Sequence, residues 1–235
     1  VNEPKMSRRD RLRAETSAEI KKIALDLMAA GGTDAISLRA IAREMGMTAG
    51  AIYSYYATRD DLITTLISDV YTSLVDAAEA ARDAVPPDDP GGRVMAWGRT
   101  VREWALANPE GFRLIYGDPV AGYRPPEGGP AREAHHRACA GLTGLVAAAW
   151  PHARDRQDGD HSWDDFSPDL VAETQAAFPG LPPAALALTL RVWGRMHGLV
   201  ALELYGHLSL ANDPAALHRA EMLDLVRSLG LPDPS

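Results

Sequence analysis

Apolar side chains recur at helical spacing along nearly the whole chain. Ile20, Ile23, Ala24, Leu27 and Met28 line one face of a first helix that ends at Gly31-Gly32. Leu38, Ile41, Ala42 and Met45, at offsets of three, four and seven, line a second. Leu62, Ile63, Leu66, Val70 and Leu74 carry a long helix over residues 59–84, which Pro86-Pro87 and Pro90-Gly91-Gly92 end in a loop. Val94, Trp97, Val101 and Trp104 form the next stripe. Asn108-Pro109-Glu110 then caps a short helix through Tyr116, with proline in its first turn. Gly117 to Pro130 is Pro/Gly-rich loop. Ala134, Ala138, Leu142, Leu145, Val146 and Ala149 define a helix to Trp150, and the acidic, turn-rich residues 151–168 read as a mobile loop. Pro182-Pro183 and Asp213-Pro214 open the last two helices. No alternating β-branched run and no internal repeat occurs, so the expected fold is all-α.

The stretch from Ser37 to Leu62 has the most specific pattern. Ser37 suits an N-cap, and Gly46 stops the helix it opens, as a glycine can at a left-handed C′ position. Thr48 caps a second short helix through Tyr56. Thr58 opens another with Asp61 at capping-box spacing. Two short helices joined by a glycine turn are the helix-turn-helix unit, whose second helix can enter a DNA major groove. With the first helix as a roof, the unit becomes a three-helix DNA-binding domain. Thr48, Ala49, Gly50 and Ala51 begin the second helix with small residues, which suit close approach to base edges. Tyr53 and Tyr55 can reach phosphates, while Ile52 and Tyr56, four apart, pack inward.

The glycine turn, the Thr, the small residues and A-I-Y-S-Y-Y-A-T-R-D-D-L-I resemble the signature of the tetracycline-repressor (TetR) family of bacterial transcription regulators. That signature runs Gly-hydrophobic-Ser/Thr-x-Gly/Ala-x-hydrophobic-Tyr-x-His/Tyr-Phe-x-x-Lys-Glu/Asp-x-Leu. Tyr55 stands where His is common, Tyr56 where Phe is common and Arg59 where Lys is common. Each departure is conservative, since Arg59 can still bind a phosphate. A second likeness extends over nearly the whole chain. W-G-R-M-H-G at 193–198, followed by L-V-A-L-E-L, and the earlier P-E-G-F-R-L-I-Y-G resemble a C-terminal variant of the family with a Trp-x-x-x-His-Gly motif.

Charge is distributed unevenly. The formal net charge of the 235 residues is −8, yet residues 1–60 hold ten Lys/Arg against eight Asp/Glu and the remainder 14 against 24. Lys5, Arg8, Arg9, Arg11 and Arg13 crowd the start. A mildly basic head can face DNA that an acidic body would repel. Arg8, Arg9 and Arg11 are candidates for an arm along the backbone or minor groove. Arg39, Arg59, Tyr53 and Tyr55 are phosphate candidates, and Ser37 can donate to a phosphate from its helix N-terminus.

The helix opened at Pro182-Pro183 is apolar on two sides. Leu186, Leu190, Trp193, His197, Val200 and Leu204 follow a heptad-like seam, and Leu188, Val192, Leu199 and Leu202 lie opposite. A helix apolar on two faces needs two partners, so a second subunit is expected. Leu186, Leu190, Val200 and Leu204, with Met222, Val226 and Leu229 of the last helix, are the expected homodimer interface. This agrees with the family, whose last two long helices form a four-helix dimer interface. The resemblance also implies a small-molecule pocket in the body. Its candidate lining is Trp97, Trp104, Phe112, Tyr116, Leu145, Trp193 and His197, and an aromatic lining with few charges suits a small hydrophobic effector. A plainer role for His197 is that of a core or interface histidine.

Other chemistries find little support. No Gly-x-Ser-x-Gly elbow, Walker loop or dinucleotide fingerprint occurs, and no cofactor is expected. His135-His136 point about 100° apart on a helix, and His152 and His161 add no metal-ligand spacing, so no metal is expected. Asp158, Asp160, Asp164 and Asp165 lack calcium-loop spacing. A single cysteine, Cys139, suits a reducing cytoplasm, and no apolar run reaches the ~18–20 residues that span a membrane. The competing readings are an all-helical enzyme with its site in a Trp-rich pocket and a helical adaptor that binds protein. The small Gly50 patch and basic arm favour neither. The expectation is a ligand-responsive repressor. Residues 1–58 form the arm and helix-turn-helix domain, and residues 59–235 the ligand-binding and dimerisation domain. A homodimer reads a palindromic operator in double-stranded DNA.

Overall fold

The basic start of the sequence is itself helical. The computed structural model describes residues 7–126, 128–157 and 159–233, and α1 (Arg8–Gly31) begins at the first arginine of the expected arm. Ser7 caps it by accepting from the Asp10 amide at 3.1 Å, and it ends at Gly32, whose φ of 74° suits glycine. Arg8, Arg9 and Arg11 therefore ride on a helix, while Lys5 lies outside the described residues. A 3₁₀ turn, Thr33–Ala35, leads to α2 (Leu38–Glu44) and α3 (Ala49–Tyr53). Next come α4 (Arg59–Asp83), α5 (Pro90–Ala107), α6 (Pro109–Tyr116) and α7 (Pro130–Ala153). The chain continues with α8 (Pro168–Ala177), α9 (Pro183–Leu204) and α10 (Pro214–Ser228). No strand occurs among the described residues.

Three expected segments differ from what the sequence pattern suggests. Pro90-Gly91-Gly92 is not loop but the first turn of α5, because Asp89 caps it by accepting from the Gly92 amide at 2.7 Å. A Cβ at Gly91 would sit 2.9 Å from the Pro232 carbonyl oxygen, so close packing rather than flexibility explains that glycine. The acidic stretch after α7 contains two 3₁₀ turns, Arg154–Arg156 and Trp163–Asp165. The second is closed by a reciprocal Ser162/Asp165 capping box. Finally, α8 is a helix that apolar spacing does not announce, since Thr174 is its only buried residue.

The chain divides into two compact units. One comprises Val1–Val70 and Pro109–Glu133, the other Tyr71–Asn108 and Ala134–Ser235. The functional division expected at 58/59 and these units do not coincide. The start of α4, α6 and the following loop belong with the head. In the first unit, Ile20, Ala24 and Met28 of α1 are buried, as are Leu38, Ile41, Ile52 and Leu62, and α1 packs on α2 and α6. In the second unit, α5, α9 and α10 pack together around Val94, Trp97, Val192, Met196, Met222, Leu225 and Val226, with Leu142, Leu145, Val146 and Ala149 from α7. Gly141 is required there, because a Cβ would collide with the Trp97 ring.

Candidate nucleic-acid interface

The turn between α2 and α3 is built as its residues dictate. Gly46 takes φ 63°, and the Met47 amide donates to the Ala42 carbonyl at 2.9 Å, closing α2. Thr48 caps α3, its hydroxyl accepting from the Ala51 amide at 3.3 Å. The helix is shorter than expected, ending at Tyr53 rather than Tyr56. Ile52 is fully buried. Tyr56 is buried with its hydroxyl 2.9 Å from Ser17 Oγ, which anchors the far end of the motif to α1.

The opposite face of α3 is open. Thr48, Ala49, Gly50 and Tyr53 are exposed, and Ala51 and Tyr55 are half-buried. A Cβ on Gly50 would meet nothing within 4 Å, so no neighbour within the chain demands a glycine at that position. Arg39 on α2 and Arg8, Arg9 and Arg11 on α1 are exposed as well. The structure adds a residue that the pattern could not single out. Arg13 donates to the Ser54 carbonyl at 3.0 Å, and its guanidinium carbon lies 4.7 Å from the centre of the Tyr55 ring. These partners are about forty positions away in sequence, so no local spacing announces them.

One expected contact needs correction. Arg59 is folded inward: its guanidinium donates to the carbonyls of Ile36 (2.8 Å), Thr33 (2.9 Å) and Ala121 (3.3 Å). It clamps the α1–α2 connection and the 117–129 loop instead of presenting its fork to a phosphate. Ser37 occupies the N-cap position of α2 with extended backbone, but its side chain makes no capping hydrogen bond.

The expected interface and pocket residues are redistributed in the second unit. Leu186, Val200, Met222, Val226 and Leu229 are each at most 1% exposed and belong to the core of their own subunit. They cannot meet a partner. Leu190 is 44% exposed and Leu204 half-buried. The expected seam runs along the boundary between the buried and open faces of α9, so it mixes the two. The open face instead carries Leu190, Trp193, Gly194, Gly198, Leu202 and Tyr205.

The seven pocket candidates are divided between the units, Phe112 and Tyr116 in the first and the other five in the second. Trp97 is packed against Gly141, and Trp104 donates from Nε1 to Ser73 Oγ at 3.0 Å. Phe112 is buried beside Tyr116 in the first unit, with ring centres 5.1 Å apart. Trp193 lies 5.3 Å from the His197 ring on the open face of α9, and burial lowers the His197 pKa. A cleft of about 320 Å³ between the ends of α4 and α5 and α7 includes Leu145 alone of the seven, beside Arg82, Asp83 and Arg93. Among the described residues, no group of three or more His, Cys, Asp and Glu could hold a metal ion. None of the helices is long and apolar enough to cross a membrane.

Residues 20–66 match the family described as bacterial regulatory proteins, tetR family, and residues 94–225 match the tetracyclin repressor-like C-terminal domain. The chain belongs to the TetR family. The HTH-type transcriptional regulator Rv1816 of Mycobacterium tuberculosis is 32% identical to it over 225 residues, spanning 94% of this chain and 95% of the relative. The same identity and coverage hold for the HTH-type transcriptional regulator Mb1846 of Mycobacterium bovis. A crystal structure of the regulatory protein SCO4313 is 36% identical, with a TM-score of 0.73, and covers 94% of this chain and all of that one. A TetR-family regulatory protein from Rhodococcus RHA1, at 21% identity and a TM-score of 0.63, shares the fold over 92% of this chain and 98% of its own. As a TetR-family member, this protein is a DNA-binding transcription regulator and not an enzyme.

Proposed function

We propose that this TetR-family regulator is a repressor that binds a palindromic operator as a homodimer and is released by a small hydrophobic effector. The observation that carries the DNA part is α3. Its cap, Thr48, and its anchors are satisfied internally, while Ala49, Gly50 and Tyr53 are exposed with no structural task in view. Small residues let the helix end approach base edges, and Tyr53 and Arg39 reach the flanking phosphates.

The open face of α9 supports the homodimer. Leu190, Trp193, Leu202 and Tyr205, with Leu217 on α10, are 41–45% exposed, an apolar set of the kind that a partner covers. Gly194 and Gly198 lie four apart with open space above them, which lets another helix come close. Two heads related by a two-fold axis read two half-sites about one helical turn or more apart. The second unit holds all five tryptophans, Trp97, Trp104, Trp150, Trp163 and Trp193, and this aromatic content supports an effector that is apolar and aromatic-compatible. The proposed lever is α4, which contributes Arg59–Val70 to one unit and Tyr71–Asp83 to the other. An effector acts only by its differential affinity for the DNA-competent and incompetent states. A cytoplasmic location completes the proposal.

The test is in vitro selection of the purified protein against random duplex DNA, with the winner titrated at two salt concentrations. An enriched palindrome bound by a dimer, with affinity falling steeply as salt rises, is the expected result. A folded dimer that enriches no sequence would overturn the operator reading.

A further inference from the structure

Arg8, Arg9, Leu12, Arg13, Thr16 and Tyr55 line a groove of about 490 Å³ between the N-terminal half of α1 and the end of the recognition motif. Three of the six are arginines and none is acidic. Their guanidinium groups are used differently. Arg8 and Arg9 are exposed and make no hydrogen bond or ion pair with any described residue. Arg13 is committed inward, to the Ser54 carbonyl at 3.0 Å and to the face of Tyr55 at 4.7 Å.

Ser54 is the C-cap of α3, where a helix leaves carbonyls without intrahelical donors. A cation that donates to such a carbonyl also complements the negative end of the helix. The same guanidinium lies over Tyr55, a favourable cation–π geometry. A planar fork can donate in its plane while its face covers the ring. A lysine ammonium is a compact point charge that does not reproduce this stacked geometry. One arginine of α1 thus holds the end of α3 and the first residue beyond its cap from a separate element.

We propose that Arg13 is a positioning residue that fixes Ser54 and Tyr55 against α1, making the Arg8–Arg9 groove a seat for a DNA phosphodiester that flanks the helix-turn-helix. This rests on the DNA-binding reading and adds to it a second backbone contact whose geometry is set by a residue that touches no phosphate. Arg8 and Arg9 supply the charge, Leu12, 53% exposed, presents apolar surface to a deoxyribose, and Arg13 supplies the shape.

The experiment uses the full chain on two duplexes: a mixed-sequence duplex of about 30 base pairs at low salt, and the palindrome that the wild type selects. Dissociation constants are measured across a salt series for wild type, R13K, R13A, Y55L, R13A/Y55L and R9A, with thermal melts to verify folding. R13K and R13A are both expected to weaken binding about tenfold, since conserving charge does not conserve the geometry. Their salt slopes stay near wild type, and the double variant is no weaker than the worse single one, because both substitutions break the same contact. R9A instead lowers the slope by roughly one.

Wild-type affinity in folded R13K, together with a slope reduced by about one in R13A, would make Arg13 a plain phosphate contact and overturn the proposal. Losses that multiply in R13A/Y55L would overturn it too. Wild type failing to bind either duplex is a separate outcome, and it removes the DNA reading itself along with the groove.

Discussion

Gly50 separates what this chain needs to fold from what it needs to act. Its backbone is ordinary helix, and a side chain there would meet open space. Gly50→Ala is therefore expected to raise stability by roughly 0.5–1 kcal/mol, read as a higher Tm. Gly50→Leu should fold equally well yet lose specific DNA binding, because the added carbons occupy the space that a base edge needs. Unchanged operator affinity in a folded Gly50→Leu dimer would sink the docking geometry. Tyr53, 46% exposed, supports nothing internally. Tyr53→Ala should weaken binding about tenfold on every sequence alike, as loss of a hydrogen bond to a charged phosphate does. Sequence spacing made both residues legible, since they follow a glycine turn and a Thr cap. Arg59 and Arg13 were not legible in the same way. A long cation shortly after a DNA-facing helix reads as a phosphate contact whether it points outward or, as Arg59 does, into carbonyls 23–62 positions away.

At the scale of elements, α9 and α10 carry the sharpest contrasts. Leu190→Asp or Trp193→Asp on the open face should convert the proposed dimer to monomer in sedimentation velocity, with little change in the protomer's melting. Val226→Asp, at a fully buried position, should unfold the second unit, since an unpaired buried charge costs several kcal/mol. Together with α5, these two helices hold a titratable weak point. His218 of α10 is 4% exposed, and its Nε2 has no hydrogen-bond partner among the described residues. It faces Arg102 of α5, which forms a bidentate ion pair with Glu203 of α9 at 2.8 and 2.6 Å. Glu221 of its own helix is paired with Arg195 of α9 at 2.6 Å. Burial first, and then the Arg102 charge, lower the His218 pKa, while Glu203 and Glu221 oppose them. The unfolded chain thus binds a proton that the folded one refuses. Stability is full above about pH 6.5 and falls as acidification proceeds toward the depressed folded pKa. His218→Leu should reduce the dependence of Tm on pH below about 6.5, the remainder coming from His197 and His135, whose pKa values burial also lowers, and an unaltered slope would show that the proton is taken up elsewhere.

For the whole molecule, the contrast between residues 1–60, with ten Lys/Arg against eight Asp/Glu, and the acidic remainder predicts how binding responds to salt. The acidic remainder should exclude DNA from everything but the head, so the slope of log affinity against log salt reports the contacts of two heads. A dimer making roughly 6–10 phosphate contacts loses about 10³–10⁵ in affinity between about 50 and 200 mM salt. A monomeric variant such as Leu190→Asp should show about half that slope and no preference for a palindrome. A variant that kept both the slope and the palindrome would place the interface elsewhere.

The sequence alone determined the local features. Helix identity, caps, glycine stops and the helix-turn-helix follow from 3.6-residue periodicity and from backbone requirements that act within a few residues, as at Thr48, Gly46 and Asp213. Family membership follows from the same short-range pattern. Tertiary structure alone decided which apolar face meets which partner. The α9 seam from Leu186 to Leu204 straddles an edge between core and open surface, and periodicity locates a stripe without saying what covers it. It also decided that Trp97 and Trp104 are core, that Phe112 and Tyr116 belong to the unit containing the head, and that Arg13 reaches Ser54. Those outcomes depend on contacts between residues tens of positions apart, where packing, not local propensity, sets the lowest free energy.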